Sequence, residues 1–173
     1  MFFPPPARIP FLVKFFARIN KIMVFIASTL VIATALMLTY DVCRRYMFNA
    51  PLPASVEISS LLQAWVIFLP FAYTLTVGQH VRVTILTAFL PANVQKALNI
   101  FANLVAGLVC LCLSWFAWVE FKKSWDLNEI MMAPIIVYWW IGKFAAPLGM
   151  LLFALQAFVL AADALANTQE EGR

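Results

Sequence analysis

Residues 22–42 read IMVFIASTLVIATALMLTYDV, twenty-one positions whose one charge, Asp41, sits next to the last of them. As a helix rising 1.5 Å per residue the run is about 31 Å long, the thickness of the hydrocarbon core of a bilayer. Three more runs of the same kind lie at about 58–77, 98–119 and 135–162. A segment that crosses lipid must satisfy every backbone N–H and C=O internally, and a helix does this alone. The predicted fold class is therefore an all-α integral membrane protein with four transmembrane helices spanning residues 22–162.

The whole composition agrees. The 173 residues are 64% hydrophobic and 12% charged, whereas soluble domains are about half apolar and a quarter charged. A soluble domain of this size still exposes about 30% of its unfolded surface, and this chain has too few polar residues to cover it. Lipid replaces water as the solvent.

On the N-terminal side, Pro4-Pro5-Pro6 and Pro10 precede a basic stretch from Arg8 to Lys21. Helical spacing puts Lys14, Arg18 and Lys21 on one face, so residues 1–21 are expected to form an amphipathic lead-in lying among the headgroups of membrane lipids. There each basic residue gains about 1 kcal/mol from anionic lipid. Ala33-Thr34-Ala35 resembles a signal-cleavage site, but the apolar run continues to Tyr40, so the segment is expected to stay. Residues 163–173 are expected to be a polar tail.

Orientation follows from the basic residues. Arg8, Lys14, Arg18, Lys21, Arg82, Lys96 and Arg173 fall on one side, and Arg44, Arg45, Lys122, Lys123 and Lys143 on the other. The cluster before the first helix dominates and predicts cytoplasmic termini. The opposite side gathers Trp115, Trp118, Trp125, Tyr138, Trp139 and Trp140, an aromatic belt at the interface. The net charge of +4 does not indicate nucleic acid, because the basic residues form no aromatic-interleaved stripe.

Small residues mark where helices approach closely in lipid. One face of the third segment carries Asn99, Asn103, Gly107, Cys110 and Ser114. The fourth carries Gly142, Ala146, Gly149, Ala154, Ala157 and Ala161, and Pro70 and Pro147 are expected to kink their helices. These seams suit contact with each other or with a partner. Cys43, Cys110 and Cys112 lack metal or redox spacing and read as small apolar packing residues.

A transporter acting alone usually holds an ionisable side chain at bilayer depth. None lies near the middle of these four segments: Asp41, Glu57, Glu120 and Lys143 are all near segment ends. The single histidine, His80, does not suffice for the axial ligands of a membrane cytochrome, and no nucleophile-elbow, phosphate-loop or zinc-protease motif occurs. Neither an enzyme nor a cofactor is expected.

The turn Arg45-Tyr46-Met47-Phe48-Asn49-Ala50-Pro51-Leu52, then Glu57 opening the second helix, then Gly78, His80 and Val83, resembles the small membrane subunit (DctQ-like family) of TRAP transporters. Tyr138-Trp139 and Ala146-Pro147-Leu148-Gly149 resemble that family's last helix. Two positions depart from it. The tryptophan common before the acidic residue is replaced around Pro53-Ala54-Ser55, and the aspartate common after the histidine segment is Thr84. The resemblance implies a tripartite sodium-driven importer of an organic acid in a bacterial inner membrane. This chain would be its small non-catalytic subunit, beside a large multi-helix membrane subunit and a periplasmic substrate-binding protein. The candidate interface residues are Asp41, Arg44, Arg45, Asn49, Glu57, Gly78, His80, Gly107, Ala146 and Gly149. A stand-alone four-helix exporter and a membrane redox anchor are the alternatives from other classes. The first lacks the embedded glutamate such exporters use, and the second lacks ligands.

Overall fold

The computed structural model describes residues 10–76 and 92–171. It contains α1 (Pro10–Phe48), α2 (Ser55–Phe68), α3 (Tyr73–Thr76), α4 (Ala92–Asp126), α5 (Trp140–Lys143) and α6 (Ala145–Glu171). Four stretches are long and apolar enough to cross a membrane: Phe15–Phe48, Ser55–Leu75, Ala97–Asp126 and Trp140–Ala166. The described residues form no strand, and the fold is the expected all-α membrane bundle.

Several boundaries differ from the sequence-based ones, each for a local reason. The basic stretch and the first span are one helix of 39 residues, because nothing around Lys21 breaks it. At about 58 Å it is nearly twice as long as the hydrocarbon core is thick, and residues 1–9 of the expected lead-in lie outside the described residues. Pro70 has no N–H to donate and ends α2, and the chain makes a turn before α3, with the Tyr73 N–H reaching the Pro70 carbonyl at 2.9 Å. Pro147 falls in the first turn of α6, where its missing donor costs little, and the break lies just before it at Phe144. Residues 135–139 are not helical. With 127–134 they form a folded loop, crossed by an isolated antiparallel bridge between Ile130 and Tyr138. At the other end α6 runs through the expected tail to Glu171.

The spine of the bundle is α6. Within its span an eighteen-residue apolar window is 44% buried, against 6% for the corresponding window of the α1 span, and α6 runs beside α4, with α2 and part of α1 also against it. The small-residue seams explain this. Cys110, Ala154, Ala157, Ala72, Leu75 and Phe153 form one buried cluster, with the Phe71 and Phe153 rings stacked at 4.7 Å. A Cβ on Gly107 would meet the Phe158 ring at 3.0 Å, one on Gly142 would meet Leu61 Cδ2 at 2.6 Å, and one on Gly149 would collide with the Phe68 carbonyl oxygen. Gly107 and Gly149, candidates for a partner contact, are thus filled from within the chain, and Ala146 is half-buried between Gly142 and Gly149.

Polar side chains are used sparingly. Ser114 Oγ donates to the Pro147 carbonyl at 2.9 Å, joining α4 to α6. Thr29, Thr34 and Thr39 each donate to the carbonyl four residues earlier, so their hydroxyls are satisfied within the helix. Asn20 and Gln156, both fully buried, meet at 3.5 Å and tie the N-terminal part of α1 to α6.

The contact at Gly149 gives a sharp expectation. Gly149→Ala should destabilise the bundle by about 1–3 kcal/mol, because the added methyl meets backbone that cannot turn aside. Gly107→Ala should cost less, since the Phe158 ring can swing away. Thermal unfolding in mild detergent reads both, and a Gly149→Ala variant that melts with the parent would contradict the packing described.

Candidate functional site

The charged residues singled out in the sequence lie around the reversal between α1 and α2. Two residues in left-handed backbone conformation shape it, Asn49 (φ 48) just after α1 and Ala54 (φ 58) just before α2. Asparagine tolerates this region well. Ala54 does not, and it is held there by burial against Leu61, Met131 and Val137. Between them Pro51 and Pro53 have no N–H, which leaves the Leu52 amide needing an acceptor. Asp41 supplies it: its Oδ1 accepts from Leu52 N at 2.6 Å while its Oδ2 accepts from Arg45 Nη2 at 2.8 Å.

Asp41 is therefore a buried clamp across an eleven-residue separation, with the Arg45 side chain half-exposed over it. Arg44 instead lies over the Tyr40 ring at 5.9 Å. Glu57 sits in the first turn of α2, where a negative charge is favoured by the helix dipole, and among the described residues no ion pair joins it to Asp41, Arg44 or Arg45. The structure thus brings Asp41, Arg45 and the turn together and leaves Arg44 and Glu57 beside them. Gly78 and His80 lie outside the described residues.

The second loop at this end, 127–139, was not singled out in the sequence. It begins where α4 ends in a left-handed Asn128 (φ 46), with Asn128 N bonded to the Trp125 carbonyl and Glu129 N to the Ser124 carbonyl, each at 3.1 Å. This is the Schellman arrangement that satisfies the last carbonyls of a helix. Glu129 Oε2 then accepts from Lys143 Nζ at 2.6 Å and from buried Ser124 Oγ at 2.7 Å. Those two bonds, Lys143 first, hold the Glu129 carboxyl below its ordinary range. Trp65 Nε1 donates to the Ile141 carbonyl at 3.1 Å, and Met131 and Val137 fold back onto Ala54 and Leu61. Of the expected aromatic belt, Trp118, Trp125, Tyr138 and Trp140 fall in one cluster with Phe121 and Phe144, the closest rings being Trp125 and Trp140 at 4.4 Å. A signal for this loop was present in Asn128-Glu129, polar residues between an apolar helix and a tryptophan pair.

The described residues include no group of three or more His, Cys, Asp or Glu side chains placed to hold a metal ion. What this end offers is a rigid rim: two loops fastened to each other and to three helices, with Arg44, Arg45 and Glu57 around one and the exposed apolar side chains of Met132, Ile135 and Ile136 on the other.

Residues 34–167 match the family described as tripartite ATP-independent periplasmic transporters, DctQ component. The chain belongs to this family. The match runs from inside α1 to inside α6, so it takes in the whole rim and the α4–α6 seam. Among relatives of this DctQ-family chain, a putative TRAP transporter small permease protein of Haemophilus influenzae is 28% identical over 117 residues, covering 68% of this chain and 70% of that protein. The ectoine TRAP transporter small permease protein TeaB of Halomonas elongata is 26% identical over 142 residues, 80% of this chain and 71% of that protein. The sialic acid TRAP transporter permease protein SiaT of Haemophilus influenzae is 32% identical over 95 residues, 55% of this chain but 15% of that much longer protein. The chain is a multi-pass membrane protein and a small subunit of a TRAP transporter.

Two outcomes test the rim. Asp41→Ala, which removes the acceptor for Leu52, should lower the melting temperature more than Asp41→Asn, which keeps a carbonyl oxygen there. Equal losses would show that the Leu52 bond contributes nothing. For Glu129 the folded pKa is depressed, so its contribution is present above the ordinary carboxylate range and is lost as pH falls through the lowered value. The protection of residues 127–139 against hydrogen exchange, taken relative to the intrinsic rate at each pH, should therefore fall on acidification in the parent and be low at every pH in Glu129→Gln. Protection in the parent that does not change across this range would remove Glu129 as the anchor.

Proposed function

We propose that this chain braces the large ion-coupled subunit of a TRAP importer that brings an organic acid across the bacterial inner membrane with a sodium gradient, after delivery by a periplasmic binding protein. Both termini are cytoplasmic in this reading, following the basic cluster before the first span, and the Asp41 rim faces the periplasm, where the binding protein docks. One observation carries the bracing role. Between the helix ends the described interior is closed by glycine and alanine seams and by an uncharged pair, Asn20 and Gln156, and its one buried charge, Asp41, is tied to the rim turn at the end of α1. The relation to SiaT supports a large partner, since a segment similar to this chain makes up a small share of a single longer permease.

The surface we assign to the large subunit is the open face of α1. Phe25, Ile32, Leu36, Tyr40 and Cys43 follow one another at helical spacing and are all exposed. Its hydrogen bonds to the rest of its own chain are at Asn20 and Asp41, and the face opposite buried Ala27 is left available to a neighbour. Cys43 provides the test. In a Cys112→Ser background, a benzophenone reagent placed on Cys43 in membranes holding the assembled complex should cross-link to the large subunit. Co-purification of the two subunits without a Cys43 cross-link would move the interface to another face, and failure to co-purify at all would remove the bracing role.

The rim generates a separate expectation. Arg45→Glu reverses the half-exposed charge beside the clamp and should weaken docking of the binding protein and slow uptake by the complex. Assembly and uptake equal to the parent at ordinary salt would make the cluster an anchor for the turn and nothing more.

A further inference from the structure

On the outer side of the α4–α6 seam two grooves meet. The lower, of about 740 Å³, is walled by bulky side chains including Leu111, Trp115, Phe116, Leu148 and Leu151. The upper, of about 640 Å³, shares Trp115 and Trp118 with it and is lined at its far end by Lys122, Lys123 and Asp126. We propose that this continuous groove is a phospholipid site, with an acyl chain in the lower part and the headgroup phosphate against Lys122 and Lys123.

Length, lining and charge all favour this occupant. From Leu111 to Lys123 is twelve residues, about 18 Å along the helix, close to the depth of one leaflet of a bilayer with a core about 30 Å thick. The groove therefore runs from the bilayer midplane to the headgroups of the leaflet on the Asp41 side. The one hydroxyl in the lower groove, that of Ser114, is already bonded to the Pro147 carbonyl, so nothing polar waits there for a partner's side chain. Transmembrane helices meet through small residues that let backbones approach, and this chain spends its small residues on its own seam. The groove outside presents tryptophan, phenylalanine and leucine instead. A flexible chain fills gaps between such side chains where a second helix is held off by them. At the upper end two lysines face one aspartate, a net positive charge at headgroup level suited to a phosphate.

The inference is independent of the transport reading, because it concerns the chain and its bilayer. The test uses the complex extracted with its large subunit in mild detergent and counts tightly held phospholipids by native mass spectrometry, with phosphatidylglycerol and phosphatidylethanolamine offered separately. Lys122→Gln/Lys123→Gln, two exposed positions, should retain the groove lipid about tenfold less well, and Leu148→Trp, which fills the lower groove, should lose it with the lysines intact. Inorganic phosphate should not displace it. Retention unchanged in both variants would overturn the proposal, as would displacement by inorganic phosphate, which would make the lysines an anion site alone. In a Cys43→Ser background, a photoreactive group on Cys112, which lines the lower groove, should label lipid. Labelling of the large subunit instead would give the groove to a protein helix and overturn the lipid assignment.

Discussion

Two helices that touch inside a bilayer exchange one apolar contact for another, because lipid tails are as apolar as leucine. Association must then come from close fit and from the few hydrogen bonds that lipid cannot offer. In this chain that constraint selects α6 as the spine. It carries glycine and alanine where α2 and α4 cross it, and it receives Ser114 on its proline carbonyl and Asn20 on its glutamine. By contrast α1 has its hydrogen bonds to the rest of the chain at Asn20 and Asp41 and shows most of its length to the surroundings. The division between a packed helix and an open one is what allows the same small chain to be both self-supporting and available to a larger neighbour.

Backbone satisfaction explains the rim in the same way. Wherever the chain leaves a helix it must find partners for amides and carbonyls, and at this end it does so with side chains: Asp41 for Leu52, and Glu129 with Ser124 and Lys143 for the second loop. These interactions were legible to different degrees. The four apolar runs gave the spans, and Gly107, Cys110, Ser114 and Gly149 marked the seams, because length and residue size act locally. Whether a seam faced its own chain or a partner was not legible, since that depends on which helices meet. Asp41 and Arg45 stood out as neighbours at helical spacing, but the Leu52 amide did not, because its need for an acceptor arises from the two prolines flanking it and from the fold of the turn. Asn20 and Gln156 are 136 residues apart, and no local pattern pairs them. Hydrophobicity alone predicts helix at 135–139, while the Schellman ending at Asn128 and the pairing of Ile130 with Tyr138 hold it as a loop.

Membership of the DctQ family gives these features a setting. A subunit whose described interior contains an amide pair between its helix ends, and whose one buried charge is fixed to a turn, suits a fixed part of a transporter. In the proposed reading the rim and the open face of α1 are its working surfaces, one toward a binding protein and one toward the membrane partner. The most direct measurement is uptake into proteoliposomes under a sodium gradient, driven by the complete three-component system and by this chain alone. The account predicts uptake of the organic acid by the complete system and none above leak by the isolated chain. Sodium-dependent uptake by the chain alone would contradict it.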